Sequence, residues 1–308
     1  MILEEIGNLA VYELLDSGNG ERLERFGDFI LRRPDPGVLW KPALGEAEWN
    51  KADAIYRRGG EAADESATED IKGKWQIKNP QLPEKWQMEY AIPGYSGHGA
   101  NENLKFYAKL TPFKHTGVFP EQAANWDFMS GKILCAVKAG RVPQVLNLFG
   151  YTGVASVLAA KLGAQVTHVD ASKPSLSWAK ENMLLSGLPD DAIRWILDDA
   201  LKFAKRELKR GKKYDAIIMD PPAFGRGSKG EVWKFSEGLP ELLDVAAQLL
   251  SDDFLFLIVN AYAVSVSALT LNNMLADFGG QRQIDYGELV LKQGSGRLLS
   301  TGLFARLH

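Results

Sequence analysis

The sequence is poor in the residues that build covalent or metal frameworks. A single cysteine, Cys135, in 308 residues excludes an internal disulfide, and the four histidines fall into no zinc-ligand spacing. A reducing, cytoplasmic compartment is the expectation. Long apolar runs are missing too: none approaches the roughly 20 residues that a membrane-spanning helix needs. The first residues, MILEEIGNLAVYELLDSG, are acidic and lack the positively charged lead-in of a secretory signal. An excess of positive charge is also absent. Lys and Arg number 36 against 39 Asp and Glu, a net charge of −3. Residues 1–110 hold 14 against 19 and the remainder 22 against 20. This balance argues against tight nucleic-acid binding through bulk charge alone and leaves room for brief contact over a local basic patch.

What is present is an ordinary globular composition, 45% hydrophobic and 24% charged, with length enough for one large or two modest domains. Residues 1–118 carry short alternating segments: Val11–Leu15, Phe29–Arg32, Ala54–Arg57, Trp75–Lys78, Trp86–Ile92 and Leu104–Leu110. Gly/Pro punctuation separates them, which predicts a β-rich module of half-buried strands, with Trp40, Trp75 and Trp86 in its core. The acidic run Glu61–Asp70 reads as a solvated loop, and Pro93–Asn103 as a Gly-rich connection. From about Glu121 the rhythm becomes strand and helix in alternation. Strands are expected at Val145–Phe149, Gln165–Val169, Ile193–Leu197, Tyr214–Met219 and Phe254–Val259. Helices are expected at Val154–Leu162, Pro174–Leu185, Ala200–Lys209, Leu239–Leu250 and Val266–Phe278. That order implies a parallel, doubly wound sheet over residues 119–308, closed by an antiparallel hairpin, Gln283–Leu291 with Leu298–Arg306.

Four strand ends carry candidate chemistry. The first runs through Asn147-Leu148-Phe149-Gly150-Tyr151-Thr152-Gly153 into a helix, where glycine lets backbone approach a ligand and the helix N-terminus favours an anion. A plain connection is the alternative, since the third glycine of a dinucleotide fingerprint is missing. The second ends at Asp170, whose carboxylate either accepts ribose hydroxyls or caps the helix opening at Lys173, near Ser172. The third ends at Asp198-Asp199, placed to accept from an adenine amine or to cap the helix at Ala200. The fourth ends at Asp220-Pro221-Pro222-Ala223-Phe224. Two prolines there remove two donors and leave carbonyls free to accept, and an aromatic just beyond can stack on a planar base.

These strand ends resemble the class I S-adenosylmethionine-dependent methyltransferases, in particular the bacterial large-subunit ribosomal RNA methyltransferases with N-x-F-x-Y-T-G, V-D-x-S and D-P-P-x-F. Here the motifs read NLFGYTG, VDAS and DPPAF, and Thr116-Gly117-Val118-Phe119-Pro120-Glu121 is similar to that family's lead-in segment. The resemblance covers roughly residues 114–308. It implies a seven-strand-type Rossmann-like domain that uses S-adenosylmethionine as donor and releases S-adenosylhomocysteine, with RNA as acceptor and no metal. By resemblance, Phe149, Gly150 and Gly153 face the methionine part, Asp170 the ribose and Asp199 the adenine. Asn147, Tyr151, Thr152, Ser172, Asp198 and Gln122 belong to the same cofactor site. Asp220, Pro221, Pro222 and Phe224 then stand beside the methyl and the acceptor.

Two departures matter. Ala123 stands where relatives carry arginine after the Glu121-Gln122 position. Relatives that methylate carbon 5 of cytosine need a cysteine after the fifth strand, where this chain has Val259-Asn260-Ala261-Tyr262. Cys135 is expected to be a buried structural residue, so the acceptor atom is expected to be nitrogen. Competing readings are a small-molecule or protein-nitrogen methyltransferase, a non-catalytic ribosome-assembly factor, and, least, a dehydrogenase. A basic face beside Phe224 built from Arg226, Lys229 and Lys234, on the loop Gly225–Lys234, favours RNA. The segment Leu14–Arg32 loosely resembles the small RNA-binding module that precedes some of these enzymes.

Overall fold

The computed structural model describes residues 1–7, 9–58, 73–95, 103–226, 230 and 232–308. The acidic run Glu61–Asp70, Lys229 and most of Pro93–Asn103 lie outside the described residues.

The N-terminal region contributes β1 (Ile2–Glu5), β2 (Tyr12–Gly18), β3 (Glu21–Phe26) and β4 (Phe29–Pro34). The short helix α1 (Glu46–Trp49) and β5 (Ala54–Arg58), β6 (Gly73–Ile77), β7 (Lys85–Tyr90) and β8 (Leu104–Lys109) follow. Strands β2 to β6 pair in sequence order as a five-stranded sheet, and β7 with β8 forms a separate ribbon. The expected strands are present with shifted ends. Strand β3 was not expected, because its sequence ERLERF places Arg22 and Glu24 on positions that turn out to be buried. Four-residue β1 was not expected either, and it joins the other sheet. Trp86 is buried, while Trp40 and Trp75 are partly buried against the same core.

The second region begins with a 3₁₀ turn at Pro120–Gln122 and α2 (Ala123–Lys138). It continues through β9 (Gln144–Leu148), α3 (Val154–Lys161), β10 (Gln165–Asp170), α4 (Lys173–Leu185), β11 (Ile193–Leu197), α5 (Ala200–Lys209) and β12 (Ala216–Met219). A hairpin, β13 (Phe224–Arg226) with β14 (Val232–Lys234), replaces the expected loop. The chain closes with α6 (Phe235–Leu249), β15 (Phe256–Ala261), α7 (Ala268–Gly279), β16 (Ile284–Lys292) and β17 (Leu298–Leu307).

The large sheet runs β1-β16-β17-β15-β12-β9-β10-β11, parallel except around β17. Its seven strands from β9 onward form the doubly wound class I methyltransferase arrangement, with the β-rich N-terminal sheet set apart and β1 added parallel at the edge beside β16. Alternation along β9 explains how both faces are covered. Val145 enters a core shared with Leu14, Phe26, Leu31 and Met88 of the N-terminal strands. Leu146 and Leu148 enter the opposite core with Phe203, Leu242 and Leu271. Local signals fix the ends of the helices that frame the site. Ser172 caps α4 by accepting from the Ser175 N–H, with Pro174 in the first turn, and Asp199 caps α5 through the Lys202 N–H. No helix among the described residues is long and apolar enough to cross a membrane.

Candidate active site at the carboxyl edge of the sheet

The turn after β9 holds two non-glycine residues in left-handed backbone, Phe149 (φ 56°) and Tyr151 (φ 50°). Each such residue costs on the order of 1–2 kcal/mol. Packing supports the shape: the Phe149 ring meets Trp233 at 4.9 Å, and Tyr151 meets Phe119 at 5.9 Å. Gly150 between them is obligatory, since a Cβ there would lie 2.3 Å from the His168 imidazole. That ring is buried, and burial pulls its pKa down to about 3, so it is neutral at physiological pH. Its Nδ1 lies 2.9 Å from Ser156 Oγ, which also accepts from Asn147 Nδ2 at 2.9 Å. The Thr152 hydroxyl donates to the Gly117 carbonyl at 2.6 Å, tying the turn to the lead-in segment. Gly153, with φ 76°, starts α3, which has no side-chain cap.

At the end of β10, Asp170 accepts from the Tyr151 N–H (2.8 Å) and the Ser172 N–H (2.7 Å), one bond per carboxylate oxygen. Burial raises its pKa. Asp199 faces the same space while capping α5, so the two roles proposed for it coexist geometrically. Asp198 points elsewhere: it accepts from the Asp199 N–H and is held by Arg206.

Two cavities meet at Asp220. The inner one, about 60 Å³, is lined by Gln122, Asn147, Gly150, Thr152 and the first residues of α3, Val154 and Ala155. The outer one, about 710 Å³, takes in Asp170, Ser172, Asp199, Pro221, Pro222 and Phe224. Phe119, Phe149, Tyr151 and Asp220 belong to both walls. Burial, with the nearby Glu121 carboxylate adding to it, pushes the Asp220 pKa up to about 7. Glu121 is itself raised by burial. The Pro222 carbonyl, expected to be open for a substrate, accepts from the Trp233 indole N–H at 2.8 Å. Phe224 is 44% exposed in the wall of the outer cavity. Beside it, Lys234 pairs with Glu237, and the Arg226 side chain and Lys229 lie outside the described residues.

Sequence reasoning brought Asp170, Asp199, Asp220, Phe224 and the β9 turn to one place, and the structure adds partners that it missed. Tyr262, after β15, accepts from Gln122 Nε2 at 2.7 Å. Lys109 at the end of β8, Phe113 and His115 in the segment after it, and Trp178 from α4 reach the outer cavity. The Thr116–Glu121 motif was the one signal pointing to this wall. Cys135 is a correction: it is exposed on α2, not buried, because its helical position faces solvent between Leu134 and Ala136. Among the described residues no group of three or more His, Cys, Asp or Glu is disposed to hold a metal.

The donor set fits S-adenosylmethionine. An uncapped helix start lines a small chamber suited to a carboxylate, and a strand-end carboxylate with unused lone pairs stands beside a larger, aromatic-lined chamber.

Comparisons with known proteins agree. The profile of the S-adenosylmethionine-dependent methyltransferase family matches residues 98–265. A crystal structure of a SAM-dependent methyltransferase from Agrobacterium tumefaciens is 38% identical and covers 100% of this chain and 93% of its own, with a TM-score of 0.87. Ribosomal RNA large subunit methyltransferase I of Klebsiella pneumoniae is 33% identical over 81% of this chain and 60% of its own length. Ribosomal RNA large subunit methyltransferase K of Neisseria meningitidis is 30% identical over 55% of this chain and 48% of its own. The chain thus spans about half to three fifths of the length of these two curated relatives.

Proposed function

The chain belongs to the family of S-adenosylmethionine-dependent methyltransferases, and from that premise we propose that it methylates a nucleobase nitrogen of large-subunit ribosomal RNA in the cytoplasm. The observation that carries this reading is Asp220, standing in the wall common to both cavities with half-exposed Phe224 just beyond it. The names of the Klebsiella and Neisseria relatives support the choice of RNA.

Bound, S-adenosylmethionine supplies a methyl group activated by the sulfonium. The chain's own residues do the rest. The first N–H groups of α3, at Val154 and Ala155, receive the donor's carboxylate, with Asn147, Gly150 and Thr152 shaping the chamber. Asp170 accepts ribose hydroxyls with lone pairs that Tyr151 and Ser172 leave unused, and Asp199 accepts from the adenine amine. Phe224 offers a flat face to the acceptor base. Asp220 takes the proton that the acceptor nitrogen sheds as its lone pair forms the new N–C bond and the S–C electron pair stays on sulfur. A base with a pKa near 7 is half ionised at neutral pH, which suits general-base work. Alignment of donor and acceptor contributes the larger share, since the donor is already activated. Cys135, the one thiol, is in neither cavity, so addition of a cysteine to cytosine carbon 6 has no nucleophile here.

We assign methyl transfer to residues 119–308 and acceptor contacts to residues 1–118. Lys109, Phe113 and His115 in the outer cavity support the second assignment. Nucleoside mass spectrometry of ribosomal RNA from a deletion strain should lack one methylated nucleoside, and an unchanged profile refutes the reading. In vitro, Phe224→Ala is expected to cut RNA methylation about tenfold to a hundredfold, the scale of one lost base stack, with cofactor affinity unchanged by calorimetry. Unchanged methylation per folded molecule, with a large fall in Tm, would make Phe224 structural instead.

A further inference from the structure

Behind Asp220 runs a chain of polar side chains that leads from the β17 edge to Gln122 in the wall of the inner cavity. Arg306, on β17, is 3% exposed, clamped between Phe128 (4.7 Å) and Phe304 (4.4 Å). Its Nη1 lies 3.4 Å from Glu4 on β1, so the added edge strand helps to anchor it. Its Nε donates to Asn125 Oδ1 at 2.8 Å. Asn125 Nδ2 donates to Gln122 Oε1 at 2.8 Å and to Asn260 Oδ1 at 2.9 Å. Gln122 Nε2 then faces Asp220 Oδ2 at 3.4 Å and the Tyr262 hydroxyl at 2.7 Å.

The direction of this chain follows from chemistry alone. A guanidinium has five N–H donors and no acceptor. The atom of Asn125 that meets Arg306 must therefore be its oxygen, and its NH₂ must point the other way. Gln122 can meet that NH₂ only with its own oxygen, which leaves its NH₂ aimed at Asp220. No alternative amide orientation satisfies all the contacts.

We propose that Arg306, Asn125 and Gln122 are positioning residues, forming a hydrogen-bond relay of fixed polarity that keeps an N–H directed at the Asp220 carboxylate and so holds this base in its acceptor role. The relay rests on the reading of Asp220 as the base. Glu121 from the 3₁₀ turn acts on the same carboxyl, with Arg22 of β3 behind it, and Tyr262 after β15 shares the outer cavity wall with Asp220 and accepts from Gln122. Across the cavity stand His115, kept neutral by burial, and Asp170 and Asp199. Among these groups and its own partners, Gln122 is the neutral amide that Asn125 orients. Its N–H favours the ionised form of Asp220, opposing Glu121.

The test reads Asp220 directly, by carbon-13 NMR titration of carboxyl-labelled aspartate in the full chain, with the resonance assigned through its loss in Asp220→Asn. Asn125→Ala frees the Gln122 amide and should raise the Asp220 midpoint by about half a pH unit, a fraction of one hydrogen bond. Asn125→Asp still satisfies Arg306 but turns the Gln122 amide around, presenting oxygen to Asp220, and should raise the midpoint by about one unit. Its added negative charge acts in the same direction, which is why the neutral variants decide. Gln122→Met deletes the donor without charge and should match that one-unit rise. Turnover at pH 7 should fall about twofold for Asn125→Ala and about fivefold for Gln122→Met, and for Asn125→Ala, whose side chain lines neither cavity, it should return near wild type at pH 9 with KM for the donor unchanged. A folded Gln122→Met protein whose Asp220 midpoint has not moved overturns the relay. If the midpoint moves while no RNA is methylated by any form of the protein, the relay stands and the acceptor reading falls.

Discussion

Two buried carboxyls, one in each region of the molecule, behave oppositely. Glu24 lies in the centre of the N-terminal sheet, fully buried, and Arg33 grips both of its oxygens at 2.7 and 2.8 Å. Tyr12 adds a third bond at 2.8 Å, and Arg22 lies at 3.8 Å. The two guanidiniums overcome the cost of burial and hold its pKa down to about 2. Among the described residues Asp220 is paired with no such cation. Its neighbours are an amide at 3.4 Å and a second carboxyl, and its pKa rises to about 7. Burial is common to both, so burial does not mark the functional group. The partners do: a carboxylate matched by guanidiniums is locked as an anion, and one matched by a weak donor and a like charge is left able to exchange a proton.

The largest effect should come from breaking the locked member. Glu24→Gln leaves Arg33 buried without its anion, while Arg22 keeps Asp35 at 3.2 Å, and loss of about 3–5 kcal/mol of stability is expected at pH 7 by urea denaturation. The folded pKa of Glu24 lies below its ordinary value of 4.5, so its contribution is fully present above about pH 4.5 and is lost as pH falls toward 2. The deficit of the variant should therefore shrink in acid. A deficit below about 1 kcal/mol at neutral pH would show that the ion cluster is replaceable and would remove one side of the contrast.

Asp220→Asn probes the other side, and its two readouts should move in opposite directions. Turnover should fall about a hundredfold to a thousandfold, within the range of a lost general base. Stability should respond in the reverse sense. The folded pKa is above the ordinary 3.8, so the wild type loses stability as pH rises from about 4 to about 7 and is level beyond. The amide variant carries no such penalty and should melt higher than the wild type at pH 8, and equally with it near pH 4. A variant less stable than wild type at pH 8 would mean that the carboxylate is stabilised in the fold and the contrast with Glu24 is false. The wild-type turnover should itself rise with pH through about 7, and the rise should be absent in Asp220→Asn.

Much of this was legible in the sequence, and the reasons for the rest are physical. Strands β9, β12 and β15 read as apolar runs because both of their faces are covered, and the candidate site lies at the carboxyl ends of the parallel strands. Position alone made Asp170, Asp199 and Asp220 candidates, with helix capping the alternative for the first two, and the family resemblance gave them their expected roles. Strand β3 could not, because ERLERF looks like a solvated charge run until Arg22 and Glu24 are seen to neutralise each other with Arg33. The relay was invisible for a different reason: Asn125 and Arg306 lie 181 residues apart, and neither is unusual where it stands. Tyr262 was recognised only as the place where a cysteine was missing. The apolar neighbours of Cys135 suggest burial, whereas only one side of α2 meets the core and Cys135 lies on the other.

The smallest effect is expected at that cysteine, which belongs to neither side of the comparison. Helix α2 starts beside Gln122 and runs away from the cavities, and Cys135 lies twelve residues past Ala123, about 18 Å along the axis at 1.5 Å per residue. Its exposed position means that Cys135→Ser exchanges one small polar group for another in water. Stability should change by no more than about 0.5 kcal/mol, as for other surface substitutions away from special features. Methyl transfer should match wild type within error, and alkylation of the wild-type thiol should leave turnover intact as well. The pair of measurements separates two ways of being wrong. Loss of turnover on alkylation alone would be a matter of bulk against an unrecognised RNA contact on α2. Loss of turnover in a folded, cofactor-binding Cys135→Ser protein would require the thiol in the chemistry. It would move the acceptor atom from nitrogen to carbon and return Asp220 to a supporting part.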